Sequence, residues 1–182
     1  MLDIILIIYS VIVFAVIIWF LIMAVMLYDK IFVRVPFVST PAKTIGEIIE
    51  KLPLKKGDEV FDLGCGDGRF LFACEKKYQA RATGYELGYW PYFLANFRGF
   101  FSGSKVKIIF GNMFDADIKN ADVVYCYLWQ DVMDALEPKF KQEMKKGALV
   151  ASYGFQFSSW KYDKAIELGS SPQKKLYIYS IK

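Results

Sequence analysis

Chemistry concentrates in the stretch Asp62-Leu63-Gly64-Cys65-Gly66-Asp67-Gly68-Arg69. Glycines at 64, 66 and 68 allow a sharp backbone turn and let a ligand approach the amides with no Cβ in the way. A dinucleotide fingerprint would need glycine at 69, which is arginine, and the Gly-Lys-Ser/Thr of a phosphate-cradling loop is absent. The pattern is therefore GxGxG preceded by an acid, and Asp62 at that point suits a ligand that presents an ammonium group. Glu86 lies 18 residues past Gly68, at the end of the next expected strand. A carboxylate there can accept two hydrogen bonds from a ribose diol. Gly111-Asn112-Met113 follows a third strand and offers an amide and an apolar side chain to read and cover an adenine ring. Three such features at three successive strand ends are hard to assign to chance.

Composition narrows the chemistry further. The 182 residues include no histidine, which excludes imidazole general bases, Ser-His or Cys-His nucleophiles and His-ligated metals. Cys65, Cys74 and Cys126 lie 9 and 52 residues apart with no CxxC pair, so neither a thiolate cluster nor a disulfide framework is expected. The 23 Lys and Arg exceed the 19 Asp and Glu by four. That surplus falls wholly in residues 35–182, as scattered lysine pairs, and suits a solvated, membrane-facing surface better than a nucleic-acid groove.

The elements that must carry these residues alternate in period. Ile45, Ile48, Ile49 and Leu52 form a helical stripe ended by Pro53. Strands are expected at 59–63, 82–87, 106–110, 122–128 and 148–153, with helices at 70–77, 90–101 and 132–144 between them, and closing strands at 164–168 and 175–181. Such alternation argues for a parallel, doubly wound α/β sheet, which binds ligands at the carboxyl ends of its strands. In the third helix, Tyr89, Trp90, Phe93, Leu94, Phe97, Phe100 and Phe101 cover an arc of roughly 140° at about 100° per residue, the width of a core-facing stripe, and burial is expected.

The front of the chain is different. Ile4 to Leu27 carries no charge, with Ser10 its only small polar group. As a helix at about 1.5 Å per residue it would be roughly 36 Å long, enough to cross a bilayer core of about 30 Å. Asp3 and the lack of a small-residue cleavage site near Leu27 speak against a cleaved signal. Residues 1–34 are thus expected to be an anchor with its juxtamembrane segment, and 35–182 a separate domain, with Lys30 and Arg34 pointing that domain into the cytoplasm.

Asp62 to Gly68 resembles motif I of class I S-adenosylmethionine-dependent methyltransferases, and Glu86 resembles the acid at the end of their second strand. The chain is more closely similar to the membrane-anchored lysine methyltransferases that act on the adenine nucleotide translocase and the ATP synthase c subunit, and to their prokaryotic relatives. That family carries a transmembrane helix, a Pro-x-x-x-Thr-Pro segment (here Pro36 to Pro41) and Asp-Leu-Gly-x-Gly-Asp-Gly-Arg (here Asp62 to Arg69). Asp122-Val123-Val124, Tyr127-Leu128, Gly147-Ala148 and Trp160 also resemble its pattern.

The resemblance implies a Rossmann-like seven-stranded doubly wound sheet preceded by one transmembrane helix, and S-adenosylmethionine as cofactor. It implies cofactor binding by Asp62, Gly64, Cys65, Gly66, Asp67, Gly68, Glu86, Leu87, Asn112, Met113 and Tyr127, with Tyr127 and Trp129 positioning the acceptor and no metal. Asp67 and Arg69 either contact or enclose the cofactor or pair with each other. Tyr127, Trp129, Tyr153 and Phe155 are candidates for an aromatic wall against the passing positive charge. The implied partners are the bilayer, through residues 4–27, and a lysine of a membrane protein. The implied setting is a bacterial or archaeal cell membrane, or the mitochondrial inner membrane in a eukaryote. A lipid-soluble acceptor such as a quinone, or a non-catalytic binding module, are the alternatives.

Two departures bear on the acceptor. Many relatives carry proline where this chain has Gln130, and an Arg-Phe-Pro stretch where it has Gly154-Phe155-Gln156. Tyr127-Leu128-Trp129-Gln130 also lacks the Asn-Pro-Pro-Tyr signature of enzymes acting on exocyclic base amines, which argues against a nucleobase. The missing histidine agrees with methyl transfer, because the cofactor brings its own leaving group and the protein works mainly by positioning.

Overall fold

The computed structural model describes residues 2–32 and 37–182. Arg34 and Pro36 of the sequence reading lie outside the described residues. The chain packs as two compact units, residues 1–36 and 37–182. In the first, α1 (Leu2–Phe32) is a single helix. Its segment Asp3–Asp29 has a mean hydropathy of 3.1. The apolar side chains from Ile4 to Tyr28 are exposed all along it. Ser10 donates its hydroxyl to the Leu6 carbonyl at 2.8 Å, so the one small polar side chain is satisfied within the helix.

The second unit runs α2 (Ala42–Lys51), β1 (Glu59–Leu63), α3 (Arg69–Tyr78), β2 (Arg81–Glu86), α4 (Tyr89–Ser102), β3 (Lys107–Phe110), a 3-10 turn (Met113–Asp115), β4 (Val123–Cys126), α5 (Gln130–Glu143), β5 (Leu149–Tyr153), β6 (Lys164–Leu168) and β7 (Ser171–Ser180). The seven strands form one sheet in the order β3-β2-β1-β4-β5-β7-β6. β1 to β5 are parallel, so the doubly wound expectation holds for them. The sheet is not parallel throughout, because β7 runs antiparallel to both β5 and β6. Only two residues separate β6 from β7, and so short a link permits only an antiparallel pair.

Alternation along the strands divides the core. Val60, Ala82, Val123, Tyr125 and Ala151 join Ile45, Ile48 and Ile49 of α2 and Phe70, Leu71 and Cys74 of α3 in one buried cluster. On the other face, Ser152 of β5 meets Met133 of α5, and Phe140 of α5 packs edge-on to Phe157 at 5.9 Å. The amphipathic stripe of α2 is buried as its spacing requires, with Ile45, Ile48, Ile49 and Leu52 all in the core.

Two expectations are corrected. β4 stops at Cys126, its last residue paired with β1. Tyr127 and Leu128 leave the strand, and Leu128 folds back so that a Cβ on Gly64 would come within 3.0 Å of it.

The larger correction concerns α4. Its aromatic face does not enter the core: Phe93 is 60%, Phe97 52%, Phe100 82% and Phe101 71% exposed. The buried positions are Pro91 and Ala95, one turn apart on the opposite side of the helix. Gly99 continues that side, where an added Cβ would meet the Phe72 ring at 3.5 Å. A stripe of small residues lets the helix backbone approach α3 closely, and bulky rings on that side would hold it away. The helix is amphipathic as read, but its small face is the inner one.

This packing sets a contrast in cost. Ala95→Leu should destabilise the fold by about 1–3 kcal/mol through overpacking, whereas Phe100→Ser should stay within about 0.5 kcal/mol. Thermal unfolding of the two variants beside wild type measures both.

Candidate functional site

The loop after β1 is shaped by backbone signs that only glycine adopts freely. Gly64, Gly66 and Gly68 have φ of 83°, 55° and 74°. The amides of Gly64 and Cys65 both donate to the Tyr85 carbonyl, at 2.9 and 3.0 Å, which ties the turn to β2. At Gly66 a Cβ would strike the Phe37 ring at 2.5 Å, so the segment leading into the domain lies over the loop. The loop ends as the Gly68 carbonyl accepts from Phe72 and opens α3.

Three carboxylates gather here, each in a different state. Glu86, buried at the end of β2, accepts the Gly66 amide on Oε2 and the Gly88 amide on Oε1, both at 2.8 Å. Those two bonds orient the carboxylate between the glycine loop and the start of α4. Asp67 is gripped by Arg69, whose Nε donates at 2.9 Å, and by Arg98 at 3.0 Å. Burial opposes ionisation of Asp67, but the two guanidiniums outweigh it and hold its carboxyl below the usual range. Arg69 also donates to the Thr40 carbonyl at 2.9 Å, and Arg98 to the Asp67 carbonyl at 2.8 Å. Asp67 and Arg69 pair with each other, and their further bonds fasten the lead-in segment and α4 to the loop.

Asp62 is the exception. It is 4% exposed on central strand β1, in register with Gly84 and Tyr125. No hydrogen bond or ion pair reaches its carboxylate among the described residues. Burial pushes its carboxyl well above the usual range, and the neighbouring Glu86 and Asp67 push it further. A buried acid in this state is poised to receive a cation.

The remaining expected residues take varied places. Cys65 is buried, its side chain packed where a Gly84 Cβ would come within 2.6 Å of its sulfur, and burial raises its thiol well above the usual value. It offers the loop its backbone and not a nucleophile. Leu87 is exposed just past β2. Asn112 uses Oδ1 to accept the Phe114 amide at 3.1 Å, capping the 3-10 turn. That turn was readable from the sequence, since asparagine commonly bonds the backbone two residues on. Met113 reaches back over the glycine loop, 3.6 Å from where a Gly64 Cβ would lie. The ends of β1 and β3 thus converge although 47 residues separate Gly64 from Gly111.

Beyond β4 and β5 the aromatic residues do meet. Tyr127 lies 4.9 Å from Tyr153 and 6.4 Å from Phe155, and Trp129 lies 5.6 Å from Phe155, centroid to centroid. Tyr153 is core material, 3% exposed with its hydroxyl on Ser171, while Trp129 is half exposed. Sequence reading missed Lys174 of β7, which has no motif signal. Its ammonium donates to the Tyr127 hydroxyl. It lies 4.6 and 5.6 Å from the ring centroids of Tyr127 and Tyr153.

The two departures from the family pattern prove to touch. Gln130 donates from Nε2 to the Gln156 carbonyl at 2.5 Å and to Ser158 Oγ at 3.2 Å. Both glutamines line a cavity of about 330 Å³ with Trp160 and Tyr162.

Strand order, inverted β7 and a glycine loop at the carboxyl end of β1 define a class I S-adenosylmethionine-dependent methyltransferase. The sequence model of the ANTKMT methyltransferase domain matches residues 62–164, and the chain belongs to that family. A protein-lysine N-methyltransferase of Saccharolobus islandicus is 32% identical over 152 residues, 81% of this chain and 94% of that protein. The adenine nucleotide translocase lysine N-methyltransferase of Mus musculus is 29% identical over 129 residues, and the Homo sapiens lysine N-methyltransferase of the ATP synthase c subunit is 29% identical over 133. The matches cover 70% and 72% of this chain but only 56% of each mammalian protein. Among solved structures, an RNA methyltransferase from Salinibacter ruber in complex with S-adenosyl-L-homocysteine superposes with a TM-score of 0.74 at 28% identity, covering 79% of this chain and 94% of that one.

The residues present fit the cofactor. S-adenosylmethionine supplies an activated methyl on a sulfonium and carries a cationic amine, a ribose diol and adenine. A buried carboxyl without a protein partner among the described residues, a second acid held by backbone amides and a loop closed to side chains are compatible with such a molecule.

The Asp62 environment makes a signed prediction. A carboxyl raised in the folded state above its ordinary 3.8 costs stability as pH climbs past that value, because only the unfolded chain releases the proton freely. Asp62→Asn should therefore unfold at a higher temperature than wild type at pH 7 in the absence of cofactor. The difference should vanish as pH falls towards 3.8, and thermal scans across pH measure it.

Proposed function

We propose that this chain is a membrane-tethered protein-lysine methyltransferase. Residues 4–27 hold it in a bilayer, and the domain from residue 35 onward transfers a methyl group to a lysine of a membrane protein. The observation that carries the acceptor class is Lys174, an alkylammonium accommodated beside Tyr127 and Tyr153. An acceptor lysine presents the same group. The names of the similar proteins favour the same reading, two of them acting on the adenine nucleotide translocase and on the ATP synthase c subunit. The long uncharged stretch of α1, from Ile4 to Leu27, favours the tether.

Each side chain then has a task. Asp62 receives the amine of the cofactor, Glu86 the ribose hydroxyls, and Asn112 and Met113 border the adenine, with the amides of residues 64–68 closing round the remainder and Leu87 at its edge. Tyr127 and Trp129 orient the acceptor. An acceptor lysine must arrive neutral, and an apolar aromatic surround disfavours its ammonium form. No strong base is needed, since water can carry the proton away. The catalytic domain faces the cytoplasm, or its organellar equivalent, in this reading.

Two measurements test it. Glu86→Gln should weaken S-adenosylmethionine binding about 10- to 100-fold by calorimetry, as loss of charged hydrogen bonds predicts; unchanged affinity would overturn the ribose role. Membranes incubated with the full chain and methyl-labelled cofactor should yield label on protein lysines by mass spectrometry. Label confined to the lipid extract would point to a lipid-soluble acceptor, label in RNA to a nucleobase, and no label at all to a binding module.

A further inference from the structure

The outward face of α4 is an apolar surface with a helix's length of aromatic rings. Phe93, Phe97, Phe100 and Phe101 stack along it, with successive centroids 6.3 Å apart for Phe93 and Phe97, 4.5 Å for Phe97 and Phe101 and 5.3 Å for Phe100 and Phe101. Tyr89 extends the surface onto β3 by stacking on Phe110 at 4.6 Å. Rings so exposed to water are costly, and a contiguous patch of them marks an interaction surface.

The charge pattern bears on what covers it. α4 contains no acidic residue, and its one cation, Arg98, turns away from this face to Asp67. Lys105 follows the helix end, exposed and outside any ion pair among the described residues. A face rich in Phe with Tyr and Trp at its start and a lysine beyond its end is the composition of a helix lying in a lipid–water interface. The chain also supplies the lipid. From Phe32, the last residue of α1, to Phe37 an extended backbone spans at most about 18 Å, so a bilayer that holds α1 lies within reach of the domain.

We infer that the aromatic face of α4 seats in the headgroup region of the bilayer that holds α1, as a second, in-plane membrane contact. This rests on the tether proposed above and goes beyond it, since a tether alone does not set which face of the domain meets the bilayer. Seating α4 fixes which way the domain faces. Gly88, which caps the helix start, bonds Glu86 directly, so the cofactor-binding strand ends are built onto the seated element. The domain then presents its site at a constant height above the lipid, and lysines close to the headgroups are the ones it reaches.

The test uses the full chain in vesicles of phosphatidylcholine and phosphatidylglycerol. Cys65, Cys74 and Cys126 are all buried, so Phe100→Cys provides one accessible thiol for a fluorophore. Glu167→Cys on β6, the opposite edge of the sheet from β3, serves as the control site. Protein that floats with the vesicles should be quenched several-fold more strongly by nitroxide-labelled lipid at position 100 than at position 167. A label at position 97 should lose that quenching in the Phe100→Asp, Phe101→Asp background while flotation persists. Flotation with equal quenching at positions 100 and 167 overturns the inference and leaves the tether standing. Mutual contact between labels at position 100, without lipid quenching, overturns it in favour of a second copy of the chain. Failure to float overturns the tether and this inference together.

Discussion

Three carboxylates are crowded at the ends of β1 and β2, and the protein neutralises them unequally. Two guanidiniums hold Asp67 and two amides hold Glu86, while Asp62 receives no such partner among the described residues. In a low-dielectric site each acid raises the cost of ionising the others. The surrounding structure can be read as the device that tolerates this crowding. The glycine loop brings amides to Glu86, the lead-in segment is fastened through Thr40 to Arg69, and α4 delivers Arg98 from outside. What remains is one buried carboxyl, Asp62, for which burial and the neighbouring acids disfavour the charged form.

A site of this kind does its work without an imidazole. The reaction needs alignment and a dry, electron-rich surround more than proton shuttling. Beyond β4 and β5 the aromatic residues Tyr127, Tyr153, Phe155 and Trp129 come together, and the ammonium of Lys174 lies at the edge of this group. The bond between Gln130 and Gln156 joins two segments 26 positions apart, the start of α5 and the turn after β5. Because the two positions share a hydrogen bond and a cavity wall, substitutions at them are expected to couple rather than add.

The expectations that held are those set by local chemistry. Period-two and period-3.6 patterns fixed β1, β6 and the helices to within a few residues, since the burial of Ile45, Ile48 and Ile49 follows from spacing alone. The motif loop was legible because positive φ selects glycine. The orientation of α4 was not legible. Its hydrophobic arc is plain in the sequence, yet which arc faces inward depends on how closely Phe72 and the glycine loop approach it. Large apolar residues are usually buried, and here Pro91, Ala95 and Gly99 won the inner face by being small.

The amino-acid sequence by itself determined the absence of imidazole chemistry, the glycine loop with its leading acid, the alternation that yields an α/β sheet and the uncharged stretch from Ile4 to Leu27. These follow from residue type and spacing within one element. Tertiary structure alone decided that Asp67 belongs to two arginines, that Lys174 stands beside Tyr127 from 47 positions away, and that Gln130 reaches Gln156. It also decided that the rings of α4 look outward. Those are contacts between elements, and their distances are set by how seven strands and four helices pack in the second unit, which no periodicity encodes.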